Sequence, residues 1–121
     1  MLLLALPGAV YLYQGEELGL PEWMDLPDDR RQDPVFARSK GTEHGRDGAR
    51  VPLPWSTSGP SYGFSLTPDP AEPWLPLNAD WPTRNVAQMA DEPHSILTLY
   101  RRLLAARRAH LALSIGGFAL L

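Results

Sequence analysis

AVYLYQGEE, residues 9–17, is the stretch whose reading decides the fold. Ala9 to Tyr13 is apolar, rich in aromatic and β-branched side chains, and shows no polar alternation. That is the pattern of a strand covered on both faces, and such strands belong to parallel sheets. Gln14-Gly15-Glu16-Glu17 follows at once, a polar cluster at the C-terminal end of the strand, where α/β folds place their sites. Upstream, Leu2 to Leu6 reads as the tail of a buried helix and Pro7-Gly8 as a turn. The leucine run lacks a basic flank and falls far short of the roughly 20 apolar residues of a membrane-spanning helix, so neither a signal peptide nor a span is expected.

Downstream the texture changes. Pro21 to Pro93 holds 12 of the 13 prolines and all four tryptophans, Trp23, Trp55, Trp74 and Trp81. Structureless loops longer than about 12 to 15 residues are uncommon inside compact domains. The tryptophans argue against disorder. An ordered, irregular insertion is therefore expected, with the indoles supplying a small local core. Its most concentrated stretch is GRDGARVPLPW, residues 45–55, in which Arg46 and Arg50 flank Asp47 and Gly48. Asp47 is expected to pair with one of the arginines, Gly48 to relieve a tight turn, and Pro52, Pro54 and Trp55 to stiffen the wall behind. By residue type alone, two such arginines are more often solvated or tied to nearby acids than bound to a ligand.

A helix closes the pattern. Ile96, Leu99, Tyr100, Leu103 and Leu104 recur at helical spacing. Asp91, Glu92 and Pro93 suit its start, and Arg107 and Arg108 suit its end through the helix dipole. LALSIGGFALL, residues 111–121, reads as the first strand and turn of another unit. One strand and one helix cannot make a parallel sheet, so this α/β chain is expected to be a piece of a larger domain.

Composition narrows the partners. A net charge of −3 without a basic stripe excludes a nucleic-acid footprint. The absence of cysteine removes disulfides and thiolate zinc sites, and the expected location is cytoplasmic. Asp25, Asp28, Asp29 and Asp33 invite calcium, but Arg30 and Arg31 sit among them and the spacing is not that of an EF-hand. His44, His94 and His110 are too scattered for zinc. No metal and no cofactor are expected.

Five segments in order, LPGAVYLYQGEELGLPE, GRDGARVPLPW, GFS, PWLPLNADW and NVAQMADEPHSILTLYRRLLAARR, resemble glycoside hydrolase family 13, the α-amylase superfamily, and within it the α-glucosidase and oligo-1,6-glucosidase branch. The resemblance implies a (β/α)8 TIM barrel followed by a β-sandwich. Residues 1–110 would be the C-terminal end of the barrel, with Ala9 to Tyr13 its eighth strand, about 21–91 an inserted subdomain and Ile96 to Ala109 the last helix. Residues 111–121 would begin the sandwich. It also implies a retaining α-glucosidase acting on small α-glucosides or maltooligosaccharides. In such an enzyme Arg46 would reach the subsite of the non-reducing glucose, where a planar guanidinium can hold carboxylate and hydroxyl oxygens together. Arg50 is expected to be structural.

The catalytic residues are another matter. Retention requires two carboxyl groups about 5 to 5.5 Å apart across the scissile bond. In the family these come from strands before the eighth, and its Asn-His-Asp signature does not occur in this sequence. Glu16 and Glu17, adjacent in an extended chain, would point to opposite faces and cannot form the pair. No catalytic residue is assigned, and the chain is expected to be inactive alone. Two alternatives remain: a carbohydrate-binding or interaction module built on the tryptophan-rich insertion, and a truncated reading frame that does not fold by itself.

Overall fold

The computed structural model describes residues 2–67, 72–115 and 117–119. Among them the chain forms α1 (Leu2–Ala5), α2 (Pro34–Arg38), α3 (Val86–Asp91) and α4 (Ile96–Ala109), joined by short 3-10 turns. None of these helices is long and apolar enough to cross a membrane.

Ala9 to Tyr13 does not become a strand. It runs without a ladder, with Tyr11 86% exposed, while Val10 and Leu12 line an open groove beside Leu104 and Arg107 of α4. The apolar pattern is present, but a strand is a property of a pair, and no second strand lies beside it among the described residues. The strand expected after residue 111 is likewise absent from the described residues. Leu111–Leu113 is a 3-10 turn, and Leu111 and Ile115 are exposed. Gly116, Leu120 and Leu121 lie outside the described residues.

The periodic segment forms α4, capped by Ser95, whose Oγ accepts from the Thr98 N–H at 3.1 Å. The same hydroxyl donates to the Met89 carbonyl at 2.6 Å and ties α3 to α4. Ile96–Ala109 is the expected span, but Asp91 and Glu92 do not start it, since Asp91 closes α3 and Glu92 caps it. The buried face is also rotated from the expected stripe. Leu97 is buried, whereas Ile96 and Leu99 remain 42% and 41% exposed. The cause is the partner: α4 packs on the 3-10 turn Glu16–Leu18, in which Leu18 is fully buried, and on α1 and α3.

Arg107 does not merely favour its own helix dipole. Its guanidinium donates to the carbonyls of Leu4 at 2.8 Å and Leu6 at 2.6 Å, and to that of Gly8. Carbonyls at a helix end lack partners within the helix, and here a side chain from about 100 positions away supplies them.

The insertion has its own core. Leu26, Val51, Leu75 and Trp81 form a buried cluster, with Leu20 and Trp23 packed against it. Each such side chain contributes roughly 1.5 to 3 kcal/mol when fully removed from water. Only two of the four indoles belong to this core, because Trp55 and Trp74 are 50% and 65% exposed. Arg31 fastens the insertion further. Its side chain is 3% exposed, donates to the carbonyls of Met24 and His44, pairs with Asp28 and lies 5.5 Å from the Phe36 ring centre.

Candidate functional site

The site begins with two buried aspartates that hold each other's backbone. Asp33 precedes Pro34 and caps α2, accepting from the Val35 N–H at 2.9 Å. Its other oxygen, Oδ2, accepts from the Arg46 N–H and from Arg50 Nη1, each at 3.0 Å. In return Asp47 Oδ2 accepts from the N–H groups of Gln32 and Asp33 at 2.6 and 2.7 Å. The two segments are thus latched reciprocally by carboxylates, which make stronger hydrogen bonds than neutral acceptors. Asp47 pairs with neither arginine, contrary to expectation. Sequence reasoning misses Asp33 as part of this motif, although an aspartate directly before a proline is a readable helix start.

Backbone hydrogen bonds dominate the electrostatics of Asp33. The N–H groups of Val35 and then Arg46 hold its carboxyl below the ordinary 3.8, burial opposes this, and the Arg50 charge and hydrogen bond add to the lowering.

Glycine makes the latch possible at two positions. Gly45 has φ 71, and a Cβ there would stand 2.6 Å from Asp33 Cβ and Cγ. At Gly48 the need is space rather than a left-handed turn, since a Cβ would fall 2.4 Å from the Trp23 carbonyl oxygen. Close backbone approach is the second use of glycine, after positive φ.

The latch fixes the main chain of Arg46 but leaves its side chain exposed, with no side-chain hydrogen bond among the described residues. Arg50, by contrast, is drawn in by its ion pair with Asp33 at 3.0 Å. Gln14 stitches the end of residues 9–13 to the same loop, its amide lying 3.5 and 3.4 Å from the carbonyls of Ala49 and Val51. Between these parts lies a cleft of about 280 Å³, where Tyr13, Gln14, Glu16 and Glu22 supply polar groups and Leu53 and Trp81 supply apolar wall. Arg46 is not among its lining residues.

Glu16 and Glu17 lie on a 3-10 turn rather than in extended chain. Glu16 is exposed and lines the cleft, while Glu17 Oε2 accepts from the Gly15 N–H at 2.9 Å. The early acids fall apart as a group: Asp28 pairs with Arg31 and Asp33 with Arg50, and no cluster of three or more His, Asp or Glu side chains able to hold a metal occurs among the described residues. A cleft of this composition offers donors and acceptors to a hydroxyl-rich ligand against an apolar wall.

The segment is thus an irregular chain with a carboxylate-latched arginine loop beside a polar cleft. The alpha-amylase catalytic-domain family matches residues 1–116, and the chain belongs to it, among the glycoside hydrolases of the α-amylase superfamily. It is 44% identical over 115 residues to a probable alpha-glucosidase of Rhizobium meliloti, covering 95% of this chain and 20% of that protein. It is 30% identical over 139 residues to the oligo-1,6-glucosidase IMA3 of Saccharomyces cerevisiae, covering 98% of this chain and 23% of that one. Among solved structures it matches the alpha-glucosyl transfer enzyme XgtA with a TM-score of 0.78 at 42% identity, over 93% of this chain and 20% of that chain. It also matches the trehalulose synthase MutB of Pseudomonas mesoacidophila MX-45 with a TM-score of 0.78 at 26% identity, over 96% and 23%. The chain spans about a fifth to a quarter of the length of these relatives.

Proposed function

We propose that the chain is the C-terminal end of the (β/α)8 barrel of a retaining α-glucosidase, cytoplasmic, acting on small α-glucosides or maltooligosaccharides. In this reading residues 1–110 belong to the barrel, about 21–91 form its inserted subdomain, and 111–121 open a following β-sandwich. The observation that carries it is the 44% identity to a probable alpha-glucosidase along 95% of the chain. The surface supports it as well. The chain exposes 8509 Å², whereas a compact protein of its mass exposes about 6,500 Å². Large apolar side chains are among those left exposed, at Tyr11, Ile96, Leu99, Leu111 and Ile115.

Arg46 is the proposed sugar contact. Its main chain is held by Asp33 while its guanidinium stays unengaged, an arrangement suited to a hydrogen-bonding fork that must meet a carboxylate and sugar hydroxyls from outside this segment. The carboxyl pair of the double displacement would come from elsewhere in the barrel, so the chain by itself is inactive in this reading.

Two measurements test it. The purified chain is expected to release no glucose from maltose or isomaltose, and steady turnover would overturn the assignment of catalysis elsewhere. Substituting residues 1–116 for the matching segment of the Rhizobium meliloti relative is expected to give an active enzyme. In that chimera Arg46→Ala should lower kcat/KM by about 100-fold, the scale of a lost positioning contact; an unchanged value in a folded variant would remove Arg46 from the site.

The match to an alpha-glucosyl transfer enzyme at 42% identity favours a second reading, in which the glucosyl group passes to a sugar rather than to water. The ratio of oligosaccharide to free glucose formed by the chimera separates the two.

A further inference from the structure

Two tryptophans excluded from the insertion core meet at one place. Trp55 and Trp74, with Phe64, line a cleft of about 350 Å³ whose remaining wall includes Pro73 and whose polar groups are Gln14 and Arg50. All three rings are at least half exposed, at 50%, 65% and 51%. The backbone beneath them is strained. Ser61 and Tyr62 both adopt left-handed conformations at φ 51, uncommon for residues with a side chain. The Tyr62 carbonyl accepts from the N–H groups of Trp55 and Ser56, each at 2.9 Å, so the strained turn holds Trp55 near Phe64. Strain of this kind persists where the surrounding structure fixes it, and it concentrates at ligand clamps.

We infer that this aromatic cleft is a second saccharide subsite, which takes a glucopyranose unit by stacking. The inference rests on the α-glucoside reading for the class of ligand, and on the cleft's own composition for its chemistry. A pyranose ring with equatorial hydroxyls presents a flat face of C–H groups to an indole and a rim of hydroxyls to hydrogen-bonding groups. The cleft supplies both kinds of partner. Arg50 engages Asp33 through Nη1 alone, leaving Nε and Nη2 without a partner among the described residues. The position fits an oligosaccharide as well, because Gln14, Val51 and Leu53 line both this cleft and the polar one beside Glu16. A chain of sugars leaving the first cleft would enter the second.

The test uses the chain itself, titrated with maltotriose while tryptophan emission is followed. Trp23 packs against the core and Trp81 lines the polar cleft, so it is the effect of Trp74→Ala on binding that assigns the response to the aromatic cleft. Saturable quenching is expected with a dissociation constant on the order of 1 mM. Trp74→Ala should weaken binding about tenfold or abolish it, measured by calorimetry because the reporter is removed, and Phe64→Ala should weaken it less. Mannitol, an acyclic polyol without a flat face, should leave the emission unchanged. Neither ring lies in the core, and circular dichroism matching the parent would show that each variant folds.

Absence of saturable binding, equal quenching by mannitol, or Trp74→Ala and Phe64→Ala variants that bind as the parent does would each overturn the subsite. Loss of binding in Arg46→Ala with full binding in Trp74→Ala would place the sugar at the arginine loop, overturning this inference while supporting the glucosidase reading. Concentration-dependent dimerisation abolished by Trp74→Ala, without sugar binding, would make a second copy of the chain the occupant instead.

Discussion

Between Met24 and Val51 the chain meets its polar groups with its own side chains. Asp33, Asp47 and Arg31 take up amides, carbonyls and charges across turns that carry no ladder. Between Ala9 and Leu12 it does the opposite, leaving an apolar segment without a ladder and Tyr11 in water. One region is closed by long-range carboxylate and guanidinium contacts, and the other leaves apolar side chains at the surface. The difference shows that irregular backbone can be internally satisfied while a segment of strand-like sequence cannot, because its partners must be other strands.

The sharpest way to break this contrast is to remove the latch. Asp47→Ala leaves the buried N–H groups of Gln32 and Asp33 without an acceptor and should cost about 3 kcal/mol, read as a lower denaturant midpoint. A midpoint unchanged from the parent would mean the insertion is not closed by carboxylates. Gly48→Ala forces a methyl against the Trp23 carbonyl and should cost about 2 kcal/mol in the same measurement. Arg107→Ala, on the open side, should cost about 1 kcal/mol overall. Its clearer sign is faster amide exchange in residues 2–8 while the insertion core keeps its protection. Equal loss of protection in both regions would show them to be one cooperative unit.

The smallest effect is the dependence on pH. Because the folded carboxyl of Asp33 titrates below its ordinary 3.8, its contribution is fully present above that value and is lost as pH falls through the depressed folded value. Stability should therefore decline on acidification below about pH 4, and Asp33→Asn should flatten that part of the profile. An identical acid limb in the variant would show that Asp33 is not responsible for it.

Much of the helix was legible, because a spacing of three and four along Ile96 to Leu104 needs no partner to be seen. Which side it buries was not. The buried side depends on what α4 packs against, and the turn holding Leu18 and α1 lie far away in sequence. The tryptophans divide for a similar reason: composition announces an aromatic cluster, but burial depends on which indole meets Val51 and Leu75. At the site, charge density drew attention to Arg46, Asp47 and Arg50. The partners of Asp47 are backbone amides, which carry no mark in a sequence. Asp33 did carry one, in its position before Pro34, and its local role as a cap was readable even though its hold on Arg46 was not.

The grip of Arg107 on Leu4, Leu6 and Gly8 joins positions about 100 residues apart. A nick in the exposed stretch around Leu66 would leave the polypeptide backbone severed but the two halves still clasped by that guanidinium and by the packing of Leu18 beneath α4. Separately expressed halves, cut there, therefore carry the means to find one another and reassemble.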